Sequence, residues 1–422
     1  MARVLYSVLF YCLLPAIGLR LLWRGLKSPN YLQRWDERFG FCQKHNSEAP
    51  TIWLHAVSVG ETLAAVPLVR ALQEKYTNHK LFITCMTPTG SDRVLSIFGD
   101  SVEHSYAPYD LPDAVARFLN RVDPKLLIIM ETELWPNTIH ACKRRGIPVI
   151  VANARLSEKS ARAYQRISPI VAPMLNNLHT VAAQHIDDAR RFQSLGLPQS
   201  GSVVTGNIKF DLHLDQDLRA KASQLLDDWR GIGNRPILLA ASTHKGEDEL
   251  ILAAFTKIKM QVDSLLLVLV PRHPERFNQV AELCQKTGFT TVRRSSNVST
   301  AGADILLGDS MGELMTFFGA CDLAFVGGSL VPTGGHNVIE PAAWGVPVLT
   351  GPHLFNFSEA SELLLGGGGM LVCQNSDELA NHCTRLLEDD NTRQIMSVAA
   401  GQVAEANRGA LDRLLALIEP II

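Results

Sequence analysis

The chain has 422 residues, a formal net charge of -2, and 46% hydrophobic against 19% charged side chains. That length exceeds one ordinary core and predicts about two domains, while the composition excludes a disordered chain and a protein that coats nucleic acid through bulk charge. The eight cysteines are scattered, without a C-x-x-C pair or zinc-ligand spacing, so they are expected to be reduced and mostly buried.

Residues 4–19 carry no charge, and the apolar run continues past Arg20 to Trp23, close to the ~20 residues that cross a bilayer as a helix. Pro15, Gly18 and Arg20 leave open a helix that lies in the membrane interface instead. A buried amphipathic helix is the weaker reading, because the run shows no polar face. Arg24, Lys27, Arg34 and Arg38 follow, rather than a cleavage site. By the positive-inside rule the rest of the chain then stays in the cytoplasm.

Short apolar runs at 51–57, 81–85, 126–130 and 148–152 alternate with amphipathic segments at 61–75, 91–98 and 134–145. This is the rhythm of a parallel sheet wound with helices. His55-Ala-Val-Ser58-Val-Gly60-Glu61-Thr62 carries the first strand through a turn into a helix. Transfer to a hydroxyl needs a carboxylate or imidazole to take its proton, and Glu61 is a candidate, although Ser58-x-x-Glu61 is also a capping box and spacing alone favours that structural reading. Thr87-Pro-Thr-Gly90 stands at the next strand-to-helix turn and either holds a lipid phosphate or caps a helix. Met130-Glu131-Thr132-Glu133-Leu134-Trp135-Pro136-Asn137 puts two acids directly after an apolar strand; Glu131 ranks above Glu133, which suits the first turn of a helix.

A polar stretch at 211–234 interrupts the rhythm, which restarts with strands at 237–241, 265–270, 304–307, 323–326 and 346–349. The expected division is an anchor at 1–25, a domain at 26–212, a linker at 213–234 and a second domain at 235–422. In the second half three strand-end loops carry groups suited to a nucleotide. Pro271-Arg272-His273-Pro274 offers a guanidinium for a phosphate or base carbonyl, or is a surface turn. Gly308-Asp309-Ser310-Met311-Gly312-Glu313 opens a helix, with Ser310-x-x-Glu313 as a further capping box. Gly327-Gly328-Ser329 and Thr333-Gly334-Gly335-His336-Asn337 lead to Glu340-Pro341, where Glu340 suits ribose hydroxyls. Gly366–Gly369 reads as a turn, and 377–388 and 392–417 as helices. Histidines 55, 244, 273 and 336 show no metal-ligand spacing, so no metal is assigned.

These motifs, with Asn153-Ala-Arg-Leu-Ser157 and Pro271-Arg-His-Pro-Glu-Arg276, run in order over essentially the whole chain, which resembles the 3-deoxy-D-manno-octulosonic acid (Kdo) transferases of lipopolysaccharide synthesis. The resemblance implies a GT-B fold, an α/β architecture of two Rossmann-like domains facing a central crevice with an N-terminal hydrophobic anchor helix. It implies CMP-Kdo as donor substrate with no other cofactor, lipid IVA as acceptor, and a place on the cytoplasmic side of the inner membrane. It makes Glu61 the general base, and Pro271, Arg272, Met311, Gly312, Glu313, Asn337, Val338, Ile339 and Glu340 the nucleotide-contacting positions; Glu131, read from its place after the strand, is expected to position the base or bind acceptor hydroxyls. Val338-Ile339 stands where close relatives are expected to carry Pro-Leu. Two rival readings remain: another GT-B sugar-nucleotide enzyme such as a 2-epimerase, and a membrane-tethered protein that binds a nucleotide sugar without turning it over.

Overall fold

A computed structural model describes residues 2–43 and 49–422. The chain divides into two compact units, residues 2–211 with Arg408–Ile422, and Leu212–Asn407.

In the first unit the strands are β1 (Thr51–His55), β2 (Lys80–Cys85), β3 (Glu103–Tyr106), β4 (Pro124–Met130), β5 (Val149–Ala154), β6 (Thr180–Ala183) and β7 (Ser202–Val204). They form one parallel sheet in the order β3-β2-β1-β4-β5-β6-β7. Successive residues of β1 point to opposite faces: Ile52 and Leu54 pack with Ile83 and Ile128, whereas Trp53 packs with Phe82, Phe118 and Leu127. Both faces are buried, which is why the strands read as continuous apolar runs rather than alternating ones.

The second unit repeats the plan with β8 (Ile237–Thr243), β9 (Leu266–Pro271), β10 (Thr291–Arg293), β11 (Ile305–Leu307), β12 (Leu323–Val326), β13 (Val348–Thr350) and β14 (Met370–Val372). Their parallel order is β10-β11-β9-β8-β12-β13-β14. In each sheet the winding reverses once, between β1 and β4 and between β8 and β12. Open α/β sheets bind ligands outside the strand ends at such a reversal.

Two sequence expectations about boundaries are corrected. The stretch expected to be a linker holds a helix, Gln216–Arg230, whose N-cap Asp215 accepts from the Leu218 N–H at 2.7 Å. Its Ala222, Leu225 and Trp229 are buried, with Leu225 and Trp229 packed against Ile237 and Phe317 of the second unit. The terminal segment expected as one helix over 392–417 breaks at Gly409, which adopts φ +83°. The Asp211 carboxylate accepts from the Gly409 and Leu411 N–H groups, each at 2.6 Å. The helix Ala410–Ile418 then buries Ala410, Leu414 and Ile418 in the core of the first unit, not the second.

Helix α1 (Ala2–Lys27) is long and apolar enough to cross a membrane. Phe10, Leu14, Ile17 and Leu21, spaced as one helical stripe, pack against the buried Tyr109, Leu111 and Ala114, as do Phe39 and Met86. Val4, Leu5, Val8, Leu9, Leu19 and Trp23 are exposed. The helix thus combines a face docked on the first unit with an uncovered apolar face.

Four more helices are needed below: α2 (Val59–Lys75), α3 (Pro88–Phe98), α4 (Pro112–Val122) and α5 (Pro136–Arg144). Trp135, at the N-cap of α5, makes no capping bond through its side chain. The anion there is Asp110, fully buried, which accepts from Asn137 N–H (2.9 Å), Thr138 N–H (2.7 Å) and the Thr138 hydroxyl (2.7 Å). Asn137 in turn receives a bond from Arg3 of α1 at 2.8 Å, so one buried carboxylate organises the seat of the amino-terminal helix. Asp110→Ala strands these donors and is expected to cost about 3 kcal/mol in urea unfolding; a loss below about 1 kcal/mol would contradict that role.

The eight cysteines are free, and Cys42, Cys85, Cys142, Cys284, Cys373 and Cys383 are buried, as the sequence leads one to expect.

Candidate active site

In the first unit the reversal point holds the loops after β1 and β4. Ser58 caps α2: its Oγ accepts from the Glu61 N–H (3.3 Å) and donates to Glu61 Oε1 (2.9 Å). Val57 N–H donates to Glu61 Oε2 at 2.8 Å. The Ser58 half of the capping box expected from spacing is present, while the Glu61 carboxylate closes back on the Val57 N–H and the Ser58 hydroxyl, both neutral donors, rather than on the Ser58 N–H. Each oxygen keeps a further acceptor position, so the cap leaves the carboxylate able to take a proton. Glu61 is 9% exposed. Burial, with the charges of Glu133 and Glu131 acting in the same sense, outweighs the bonds from Val57 and Ser58 and raises its pKa to about 7.

The imidazole alternative is weaker. His55 is buried, with Nδ1 2.9 Å from Thr84 Oγ1 and its ring edge-on to Trp135. Burial lowers its pKa to about 4, so it is a poor proton acceptor near neutral pH.

Glu131 adopts φ +56°, uncommon for a non-glycine residue. Its Oε1 accepts from Lys209 Nζ at 3.0 Å, a cation that the sequence reading missed because nothing near Lys209 marks it. Glu133 accepts from Trp135 Nε1 at 3.0 Å. Thr87 caps α3 by accepting from the Gly90 N–H at 3.1 Å.

In the second unit, Gly327–Ser329 follows β12 directly beside the end of β8. A Cβ on Gly327 would lie 2.7 Å from Ser242 O and 2.8 Å from Glu247 Oε2, so this position demands glycine. Glu247 is fully buried and accepts four backbone bonds, from His244 (3.1 Å), Gly328 (2.6 Å), Ser329 (3.0 Å) and Leu330 (2.9 Å). Sequence reasoning missed it, although an acid one turn beyond a buried strand was a visible sign. Burial outweighs these four donors and pushes its carboxyl pKa up.

Three of the histidines read separately in the sequence come together here. His244 Nε2 lies 2.8 Å from His336 Nε2 with the rings stacked, and His273 stands edge-on to His244. Burial, then His244 and Arg272, lower the His336 pKa to about 4. The facing nitrogens therefore share a proton rather than carry two charges. Among the described residues no group of three or more His, Cys, Asp or Glu is arranged to hold a metal ion.

Pro271 is buried at the end of β9, and Arg272 is exposed, with its N–H on Thr243 O at 3.0 Å. His273, next to Arg272, packs on His244, which bonds His336, so the loops after β9 and β12 converge. Met311 is 64% exposed, and Gly312 adopts φ +86°. Glu313 is paired with Arg294 at 2.7 Å and takes a bond from Ser310. Asn337 Nδ2 donates to Glu340 Oε1 at 3.1 Å, and its Oδ1 accepts from the Ile339 N–H at 3.1 Å. Val338 and Ile339 are buried, so they shape this turn from behind and do not present side chains at its surface.

The 3-deoxy-D-manno-octulosonic-acid transferase (kdotransferase) family matches residues 33–212. Beyond that segment, the 3-deoxy-D-manno-octulosonic acid transferase of Haemophilus influenzae is 46% identical over 425 residues, covering 100% of this chain and 99% of the relative. The chain belongs to the Kdo transferase family. The corresponding transferase of Bordetella pertussis is 34% identical over 439 residues, covering 99% of each. A glycosyltransferase structure from Rickettsia africae, 16% identical, superposes with a TM-score of 0.56 over 89% of this chain and 99% of that one. At that identity the likeness concerns the fold alone, and it agrees with two parallel seven-stranded units of GT-B type. As a Kdo transferase the protein is a glycosyltransferase, which sets aside the epimerase and the non-catalytic binding readings.

Proposed function

We propose that this Kdo transferase moves Kdo from CMP-Kdo to lipid IVA and releases CMP, with Glu61 as general base. The observation that carries the reading is a carboxyl at the β1/β4 reversal whose pKa is raised to about 7. A base poised near the working pH is both free to accept a proton and strong enough to want it. Glu131 is the second carboxylate of the site, held by Lys209 and suited to orient acceptor hydroxyls.

In the proposed step the oxygen of the acceptor's primary hydroxyl bonds to the anomeric carbon of Kdo while that carbon's bond to the CMP phosphate oxygen breaks. Glu61 takes the hydroxyl proton, and CMP leaves with the bonding pair. Pro271, Arg272, Met311, Gly312, Glu313, Asn337, Val338, Ile339 and Glu340 form the nucleotide loops in this reading. Arg272 is the group best suited to the leaving phosphate, because the Ile339 N–H is already taken by Asn337. The uncovered apolar face of α1 supports attachment to the inner membrane from its cytoplasmic side, where a lipid acceptor would be met.

The test is incubation of the full chain with CMP-Kdo and lipid IVA, followed by mass spectrometry of the lipid. Product heavier by whole Kdo units is expected. Hydrolysis of CMP-Kdo with unmodified lipid would refute the acceptor assignment.

A further inference from the structure

The glycine turn that leads to His336 and Asn337 is held by a second segment besides the one carrying Glu247. After β13 ends at Thr350, residues 351–357 lead to the helix Ser358–Gly366 and bond on the way to the loop that follows β12. The first bonds are at Ser329: the Gly351 N–H donates to Ser329 Oγ at 2.7 Å, and the His353 N–H donates to Ser329 O at 3.0 Å. The last are at the turn itself. The Asn356 N–H donates to Gly334 O at 3.0 Å, and Asn356 Nδ2 donates to Thr333 O at 3.0 Å and to Gly335 O at 3.3 Å. One residue thus gathers three consecutive carbonyls.

The turn is built from residues with little shape of their own. Gly334 and Gly335 adopt φ +101° and +75°, and two adjacent glycines leave the chain free to move unless it is fastened from outside. On its N–H side the turn is fastened to Gly327 and Gly328, through Gly335 N–H to Gly328 O at 2.7 Å and His336 N–H to Gly327 O at 3.2 Å. On its carbonyl side the fastening is Asn356. The two segments meet without a gap, since a Cβ on Gly334 would lie 2.5 Å from Asn356 Nδ2 and run into the Phe355 ring. Asn356 is exposed, so the groups it serves regain water when its amide is removed, and its bonds should weigh little in the stability of the whole unit. Their effect falls on the next two residues of the chain, His336 and Asn337.

We propose that Asn356 is a positioning residue for donor binding, which sets where His336 and Asn337 stand by gathering the Thr333, Gly334 and Gly335 carbonyls. It acts through the turn and does not itself touch the nucleotide. The proposal rests on the reading of these loops as the nucleotide site and adds a residue outside them on which their shape depends.

Calorimetric titration of the full chain with CMP, and steady-state transfer from CMP-Kdo to lipid IVA, test the role. Asn356→Ala removes two neutral hydrogen bonds and is expected to weaken CMP binding by about tenfold. Asn356→Asp has the same size but sets a charged acceptor against two carbonyls, so it should weaken CMP binding further than alanine does. In turnover the loss should appear as a rise in KM for CMP-Kdo of the same order, with kcat and the KM for lipid IVA within about twofold of the wild type. A residue that only supports the fold would instead lower the unfolding midpoint and kcat together and leave the donor KM unchanged, and that outcome overturns the proposal. So does wild-type CMP affinity in both folded Asn356 variants when Arg272→Ala weakens it, and the nucleotide reading then stands. Wild-type affinity in all three variants removes the nucleotide reading, and the role of Asn356 falls with it.

Discussion

Glu61→Gln is expected to lower kcat by roughly 10²–10⁴-fold, the usual contribution of a positioned base, while CMP affinity stays close to that of the wild type. Glutamine suits this test because it preserves the local structure. A capping box accepts Glu or Gln at this position, and the amide oxygen can still take the Val57 N–H that now reaches Glu61 Oε2 at 2.8 Å. What glutamine cannot do is accept the proton. If Glu61 were a cap and nothing else, the variant would melt and turn over like the wild type. Initial rates at saturating CMP-Kdo, with an unfolding curve on the same sample, separate the two roles.

Glu247→Gln is expected to weaken CMP binding by about tenfold or more and to cost the second unit about 2–3 kcal/mol. Each Glu247 oxygen accepts two backbone N–H groups: Oε1 those of Ser329 and Leu330, Oε2 those of Gly328 and His244. Glutamine keeps one oxygen and turns the other into a donor facing two donors, so two buried N–H groups lose their acceptor. The loop backbone at Gly327 lies so close to the β8 carbonyls that an added Cβ would collide with them, and the four bonds to Glu247 are what fasten the loop there. It should therefore loosen rather than re-form, and the adjoining His336 and Asn337 should lose their positions. Isothermal titration with CMP and denaturant unfolding measure the two effects. Wild-type CMP affinity in a demonstrably folded variant would show that this carboxylate does not organise the nucleotide loops.

The parts of the molecule legible in the sequence are those whose information is local. β1, β4, β8 and β12 lie at the middle of their sheets and are covered on both faces, so they announce themselves as apolar runs, and the motifs that follow them fall at the winding reversals. β3, β7, β10 and β14 are the four sheet edges; short and partly polar, as in Glu103–Tyr106 and Thr291–Arg293, they carry no such signal, and β6 next to an edge was missed with them. The helix Gln216–Arg230 is polar enough to pass for a linker, because just Ala222, Leu225 and Trp229 are buried. The return of Ala410–Ile418 to the first unit depends on Asp211, about two hundred residues earlier, and no window along the chain could contain both. The candidate site divides in the same way. Glu61, Glu131 and Arg272 sit in recognisable turns, whereas Lys209 and Glu247 act on partners 78 and 81–83 residues distant.

The most direct measurement of the central claim is the single-turnover rate of the wild type from about pH 5 to about pH 9. Burial holds the Glu61 carboxyl protonated below about 7, and only its ionised form can accept the hydroxyl proton. The rate should therefore rise with pH through a limb centred near 7 and then level off, and that limb should be missing from the residual rate of Glu61→Gln. A profile flat across neutral pH, or a limb that survives in Glu61→Gln, would contradict the account.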